Sequence, residues 1–364
     1  GTSPTSWYTT PENVQHVAYV GDDQLIHELF HRSGVHGPAS LALGLRFLRE
    51  SEERAGIRAA DSTGPVDYDQ LAEFIPNDHW VGVAAVLGNL ASAYSQLRDP
   101  AGASAAQVQR VRVLERLTQV GPEQHRPSLA QALFELLHYF RPGLDAESAK
   151  TFAQQGVEVY EVLAGLRSPG STEPVNYNQL AAFTPNQYWE WPKLTGALYN
   201  QAWRVAHEAG DYAAAASWTV KQVRAFERLV QKDPEQHRPS LAQALFELLH
   251  YFRPGLHAES AKTFAQQGVE VYEVLAGLRS PGSTEPVNYN QLAAFTPNQY
   301  WEWPKLTGAL YNQAYALRQA GDIAEAAGAM GCRINICERL ALADPDKYQA
   351  ALAQAQAEAA AFGA

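Results

Sequence analysis

Apolar residues recur at helical spacing along most of the chain after residue 37. In SLAQALFELLHYFR, 240–253, Leu241, Leu245, Leu248, Leu249 and Phe252 fall on one side of a predicted helix. Arg-Pro-Gly at 253–255 ends that helix and turns the chain. ESAKTFAQQGVEVYEVLAGL, 259–278, predicts a second helix whose buried side carries Phe264, Val271, Val274, Leu275 and Leu278. LTGALYNQAYALRQAG (306–321) and DIAEAAGAMGCRINICERLA (322–341) predict a further antiparallel pair, joined at Gly321-Asp322, where glycine suits a left-handed helix end. The first 36 residues follow a different period. VQHVAYV and LIHELFH, within 14–32, alternate apolar and polar positions on either side of Gly21-Asp22-Asp23-Gln24, and this predicts a β-hairpin.

The pattern repeats. Residues 122–202 and 234–314 are the same sequence at an offset of 112, except that Asp145 becomes His257. PVDYDQLAEFIPNDHW (65–80) is a diverged copy of PVNYNQLAAFTPNQYW (174–189 and 286–301), so the chain contains about three units of roughly 110 residues. Each unit carries an insert, 165–193 in the second and 277–305 in the third. Tyr177, Leu180, Phe183 and Trp189 there match Tyr68, Leu71, Phe74 and Trp80. The spacing of three predicts a short helix with one apolar edge that staples the insert to the helices. Thr184-Pro185-Asn186-Gln187 reads as the opening of the next helix.

ALYNQAYALRQAGDIAEAA (309–327) and NLASAYSQLRDPAGASA (89–105) resemble tetratricopeptide repeats. Small residues stand where the two helices of such a repeat touch, Ala91 with Ala103 and Ala314 with Ala326. The connection ERLVQKDPEQHRPSLAQAL (227–245) resembles the longer form of the repeat, about 42 residues. Arg98 stands where that family usually has glycine, and Asn200–Gly210 is one residue longer than Asn312–Gly321, which predicts a bulge around Trp203. The resemblance implies an all-α, right-handed α-α superhelical solenoid with a short N-terminal β-hairpin arm. Its expected parts are the arm at 1–36, the solenoid at 37–345 and an Ala-rich capping helix at 346–364.

Charge and composition narrow the function. A net charge of −11 argues against nucleic acid and anionic membrane as partners. No apolar run reaches the roughly 20 residues of a bilayer-spanning helix. The opening GTSPTSWYTTPEN has no basic stretch followed by an apolar core, so the expected compartment is the cytoplasm. Cys332 and Cys337, five apart, fit neither a redox pair nor a zinc knuckle.

Three candidate chemistries remain. The arm contains His27-Glu28-x-x-His31 followed by His36. On a helix, His27 and His31 would share a face and hold zinc, with Glu28 activating a bound water as the catalytic group. This resembles the metzincin peptidases, although His36 falls one residue early. On a strand the two histidines stand about 13 Å apart and cannot share an ion. As a hairpin the arm resembles a blade of bacterial β-propeller lectins of the fucose-binding type, which implies carbohydrate binding. A lone hairpin is marginal in water, so the favoured reading over sugar binding is an arm that covers the first solenoid helix at Leu41, Leu45 and Leu48, with self-association as another route. Glu135 with His138, and Glu247 with His250, have the E-x-x-H spacing of di-iron bundles, but 112 residues separate the copies and solvated polar residues are the simpler reading.

The third candidate is the concave groove that the repeat family uses for peptides. Carried over in register, its lining is Phe134, His138 and Arg141; Tyr199, Asn200 and Trp203; Phe246, His250 and Arg253; and Tyr311, Asn312, Tyr315 and Arg318. Aromatic platforms mixed with cationic donors suit an extended peptide bearing an acidic side chain or a free C-terminal carboxylate. The favoured expectation is therefore a non-catalytic protein- or peptide-binding scaffold without cofactor.

Overall fold

A computed structural model describes residues 38–182, 190–294 and 302–363. No side chain is described before Leu41. The hairpin arm and its His27, Glu28, His31 and His36 therefore lie outside the described residues, as do Phe183, Trp189 and the helix opening expected at 184–187.

From Pro38 on the described chain is helical, and successive helices pack on one another. It divides into two compact units, Gly1–Phe152 and Ala153–Ala364. In the first, α1 (Pro38–Arg54), α2 (Trp80–Gln96), α3 (Pro100–Val120) and α4 (Pro122–Tyr139) pack in sequence, and α5 (Ala146–Leu163) begins. The second holds the rest of α5, then α6 (Trp191–Tyr199), α7 (Tyr212–Lys232), α8 (Pro234–His250), α9 (Ala258–Leu275), α10 (Trp303–Ala320), α11 (Ile323–Ala343) and α12 (Pro345–Gly363). From α6 to α12 each helix packs on the next. No described helix is long and apolar enough to cross a membrane.

Local chemistry explains where these helices begin and end. Asp99 and Asp233 accept the backbone N–H three residues on, and each is followed by a proline at the first helical position. Gly321 takes φ +90° at the end of α10. Its counterpart between α2 and α3 is Arg98, at φ +58°. The extra residue expected near Trp203 is absorbed as a π-helical stretch, Asn200–His207, that continues α6. The small residues expected between the paired helices are buried: Ala91 and Ala314 are fully covered, and Ala103 and Ala326 nearly so. A larger side chain at any of these would separate a helix pair.

The inserts are held by a network that occurs three times. Each forms a 3₁₀ turn, at Tyr68–Glu73, Tyr177–Ala182 and Tyr289–Ala294. The tyrosine hydroxyl donates to a buried glutamate on the preceding helix: Tyr68 to Glu52 at 2.5 Å, Tyr177 to Glu161 at 3.0 Å, Tyr289 to Glu273 at 2.6 Å. An arginine six residues after each glutamate pairs with the same carboxylate, at 2.7, 2.6 and 2.6 Å for Arg58, Arg167 and Arg279. Its guanidinium also holds the insert backbone at Gly64, Ser171 or Ser283. Burial and the adjacent carboxylate push the three phenols far above their ordinary range, so they stay hydrogen-bond donors.

One sequence correspondence needs correction. Trp80 donates its indole N–H to the carbonyl of Ala55. Trp191 and Trp303 make the same bond to Ala164 and Ala276. The structural partner of Trp80 is therefore Trp191, two residues beyond Trp189. The two extra residues fall between the 3₁₀ turn and the helix, where the sequence copies drift out of register.

Candidate functional site

In the second unit α6 with its π-helical extension, α8 with the RPG turn that follows it, and α10 carry most of the residues expected in the groove. The π stretch places Trp203 against the end of α8, with ring centroids 4.7 Å from Tyr251 and 5.1 Å from Phe252. Its indole N–H lies 3.4 Å from the Glu247 carboxylate, which also accepts from Gln243 at 2.8 Å. Burial raises the Glu247 pKa above the ordinary carboxylate value, and these two donors only partly offset it. Tyr199 stands 6.2 Å from Trp203. One turn earlier on α8, Phe246 stacks on His250 at 5.1 Å and 15°.

The RPG turn after α8 brings Arg253 over the ring of Tyr315 on α10, at 3.5 Å. Arg253 is half-buried, and its desolvation lowers the guanidinium pKa. Among the described residues no carboxylate lies within ion-pair distance of it. A cation resting on an aromatic face with its fork unpaired is well placed to take an anionic group.

The C-terminal end of α12 occupies the next part of this face. Phe362 lies 6.2 Å from Tyr311 and 6.3 Å from Tyr315. Arg318 lies 5.2 Å from the Phe362 ring and donates to the Ala361 carbonyl at 3.4 Å. Asn200 and Asn312 are not on the surface: each is 1% exposed, inside its helix pair. In the first unit Phe134 stacks on His138 at 5.3 Å and 13°, and half-buried Arg141 opens the RPG turn there. Glu135, the sequence counterpart of Glu247, pairs with Arg110 at 2.5 Å. The same E-x-x-H block thus serves two different local networks, and among the described residues no group of three or more His, Cys, Asp or Glu side chains is placed to hold a metal.

Several residues of this face were not expected from the pattern. His207, Tyr251 and Tyr212 join Trp203 in one edge-on aromatic group, with His207 4.8 Å from Trp203 and 5.7 Å from Tyr212. Tyr251 and Tyr212 are 41% and 42% exposed, far more than a core aromatic. Tyr251 falls off the apolar stripe of its helix, and the π stretch that aims His207 shifts the register by one residue. The glutamate–arginine–tyrosine network was also missed, although Glu52, Arg58 and Tyr68 keep the spacing of Glu161, Arg167 and Tyr177 in the diverged copy. No protein-family model matches the chain, and no curated protein matches it.

Proposed function

We propose that the chain is a non-catalytic scaffold of tetratricopeptide type that binds an extended protein segment along the aromatic face of α6, α8 and α10. The half-buried, unpaired guanidinium of Arg253 on Tyr315 carries this reading. It accepts an acidic side chain or a C-terminal carboxylate, while Trp203, Tyr251 and Phe246 offer the flanking platforms. The small-residue helix contacts and the left-handed turn at Gly321 support the repeat assignment.

The N-terminal arm enters this proposal as a hairpin. The alternation of apolar and polar positions on either side of Gly21-Asp22-Asp23-Gln24 supports that. In that conformation His27 and His31 are separated along a strand, which favours a covering or self-associating arm over a zinc centre or a sugar site.

The test is fluorescence anisotropy of labelled unstructured peptides with either a free or an amidated C-terminus, and with or without Asp and Glu. Acidic or free-carboxylate peptides should bind, and Arg253→Ala should abolish the preference. If Arg253→Ala binds as wild type does, or if amidated neutral peptides bind equally well, the reading is wrong.

A further inference from the structure

The two near-identical blocks differ at one position, and the differing residue of the second block, His257, lines a cavity. At Asp145 the carboxylate caps α5: it accepts the Ser148 backbone N–H at 2.8 Å and the Ser148 hydroxyl at 2.6 Å. The counterpart on α9 is His257, which makes no side-chain cap. His257 and Ser260 instead line a cavity of ≈ 340 Å³ together with Lys221 and Ser217 of α7 and Asn176 and Tyr177 of the insert. That size is within the range of small-molecule pockets, about 300–1,000 Å³.

Lys221 is also particular to this unit. Its counterparts are Gln109 in α3 and Cys332 in α11. The ammonium sits 3.6 Å from the Trp218 ring and 5.8 Å from that of Tyr177. Among the described residues no carboxylate lies within ion-pair distance of it. The acidic group whose charge acts on it, Glu161, is already bonded to Arg167 and Tyr177. Burial lowers the Lys221 pKa, and the charge of Glu161 offsets this only in part. The cavity therefore combines an unpaired cation, hydroxyl and amide side chains, and a helix start whose usual carboxylate has been replaced.

We infer that this cavity is a binding site for a compact oxyanion, a small carboxylate or a phosphate, held between Lys221 and the start of α9. The anion takes the place that Asp145 fills internally on α5. The site is built from other residues than the peptide face, so each can fail without the other.

The experiment is isothermal titration of the full chain with inorganic phosphate in one arm and acetate and succinate in another, at fixed ionic strength with chloride as background. The readout is repeated on His257→Asp and Lys221→Gln, which install the residues found at 145 and 109. Wild type should bind one class saturably at one site per chain. His257→Asp should lose that binding because it supplies its own carboxylate, and should unfold at higher temperature. Lys221→Gln should weaken it by at least about tenfold, the least a charge-assisted hydrogen bond contributes. Which arm binds decides between carboxylate and phosphate. Absence of saturable binding to wild type, or equal binding by all three proteins, overturns the inference. Circular dichroism of each variant separates loss of the site from loss of the fold.

Discussion

Single residues show where this fold carries local cost. Arg98 adopts φ +58° at the α2–α3 turn, where the α10–α11 turn has Gly321. A side chain in that region costs about 1–2 kcal/mol. Arg98→Gly should therefore raise stability by about 1 kcal/mol, offset in part by the greater freedom of glycine in the unfolded chain. Chemical denaturation would read this, and an unchanged midpoint would show that Arg98 makes a compensating contact. Glu247 offers a pH test. Its folded-state pKa is raised above the ordinary 4.5 by burial, so the folded chain holds this proton more tightly than the unfolded one. Its contribution to stability is full below the unfolded pKa and is lost as pH rises above about 4.5 through the raised value. Glu247→Gln keeps an acceptor for Trp203 without a charge. The variant should be at least as stable as wild type at pH 7 and should lose this pH dependence. A lower melting temperature at pH 7 would mean that the charge itself is needed.

Elements depend on close approaches that only glycine permits. Gly143 and Gly255 end the two RPG turns, and a Cβ at either would collide with backbone, at Pro100 in the first unit and at Tyr212 in the second. Backbone cannot yield as a side chain can, so Gly143→Ala and Gly255→Ala should each cost about 1–3 kcal/mol. Gly64→Ala, which meets nothing within 4 Å, is the control and should be close to neutral. Much of this level was legible in the sequence. The stripes at Leu241–Phe252 and Phe264–Leu278 predicted α8 and α9, and the one-residue excess after Asn200 predicted the π stretch. What periodicity could not show was polar burial. Hydrophobic patterning is blind to a carboxylate at 2–4% exposure that is satisfied by an arginine six residues later and a tyrosine sixteen later. The register carried over from the repeat resemblance likewise placed Asn200 and Asn312 on the surface, though each is 1% exposed. A register based on the family's first helix assigns a direction to each side chain, but it does not know that an amide can be packed inside a helix pair. Phe362 was missed because two aromatics, Tyr348 and Phe362, at opposite ends of an alanine-rich helix leave no period to read.

For the molecule as a whole, charge sets the kinetics of any encounter. The proposed ligand is acidic, yet the chain carries a net charge of −11. At low salt the field of the whole protein repels such a peptide before it reaches Arg253. That repulsion acts over many ångströms and is screened once the Debye length falls to about 10 Å near 0.1 M ionic strength. The contact at Arg253 is half-buried and short-ranged, so it is screened much less. The two effects separate in a stopped-flow experiment with an acidic peptide: the association rate should rise between low and moderate salt, while the dissociation rate changes little. Scaffolds with a broadly basic groove would behave in the opposite way, with association slowing as salt is added. A steep fall in association rate with salt would show that a basic surface beyond Arg253 governs capture, and the single-anchor account of this face would fail.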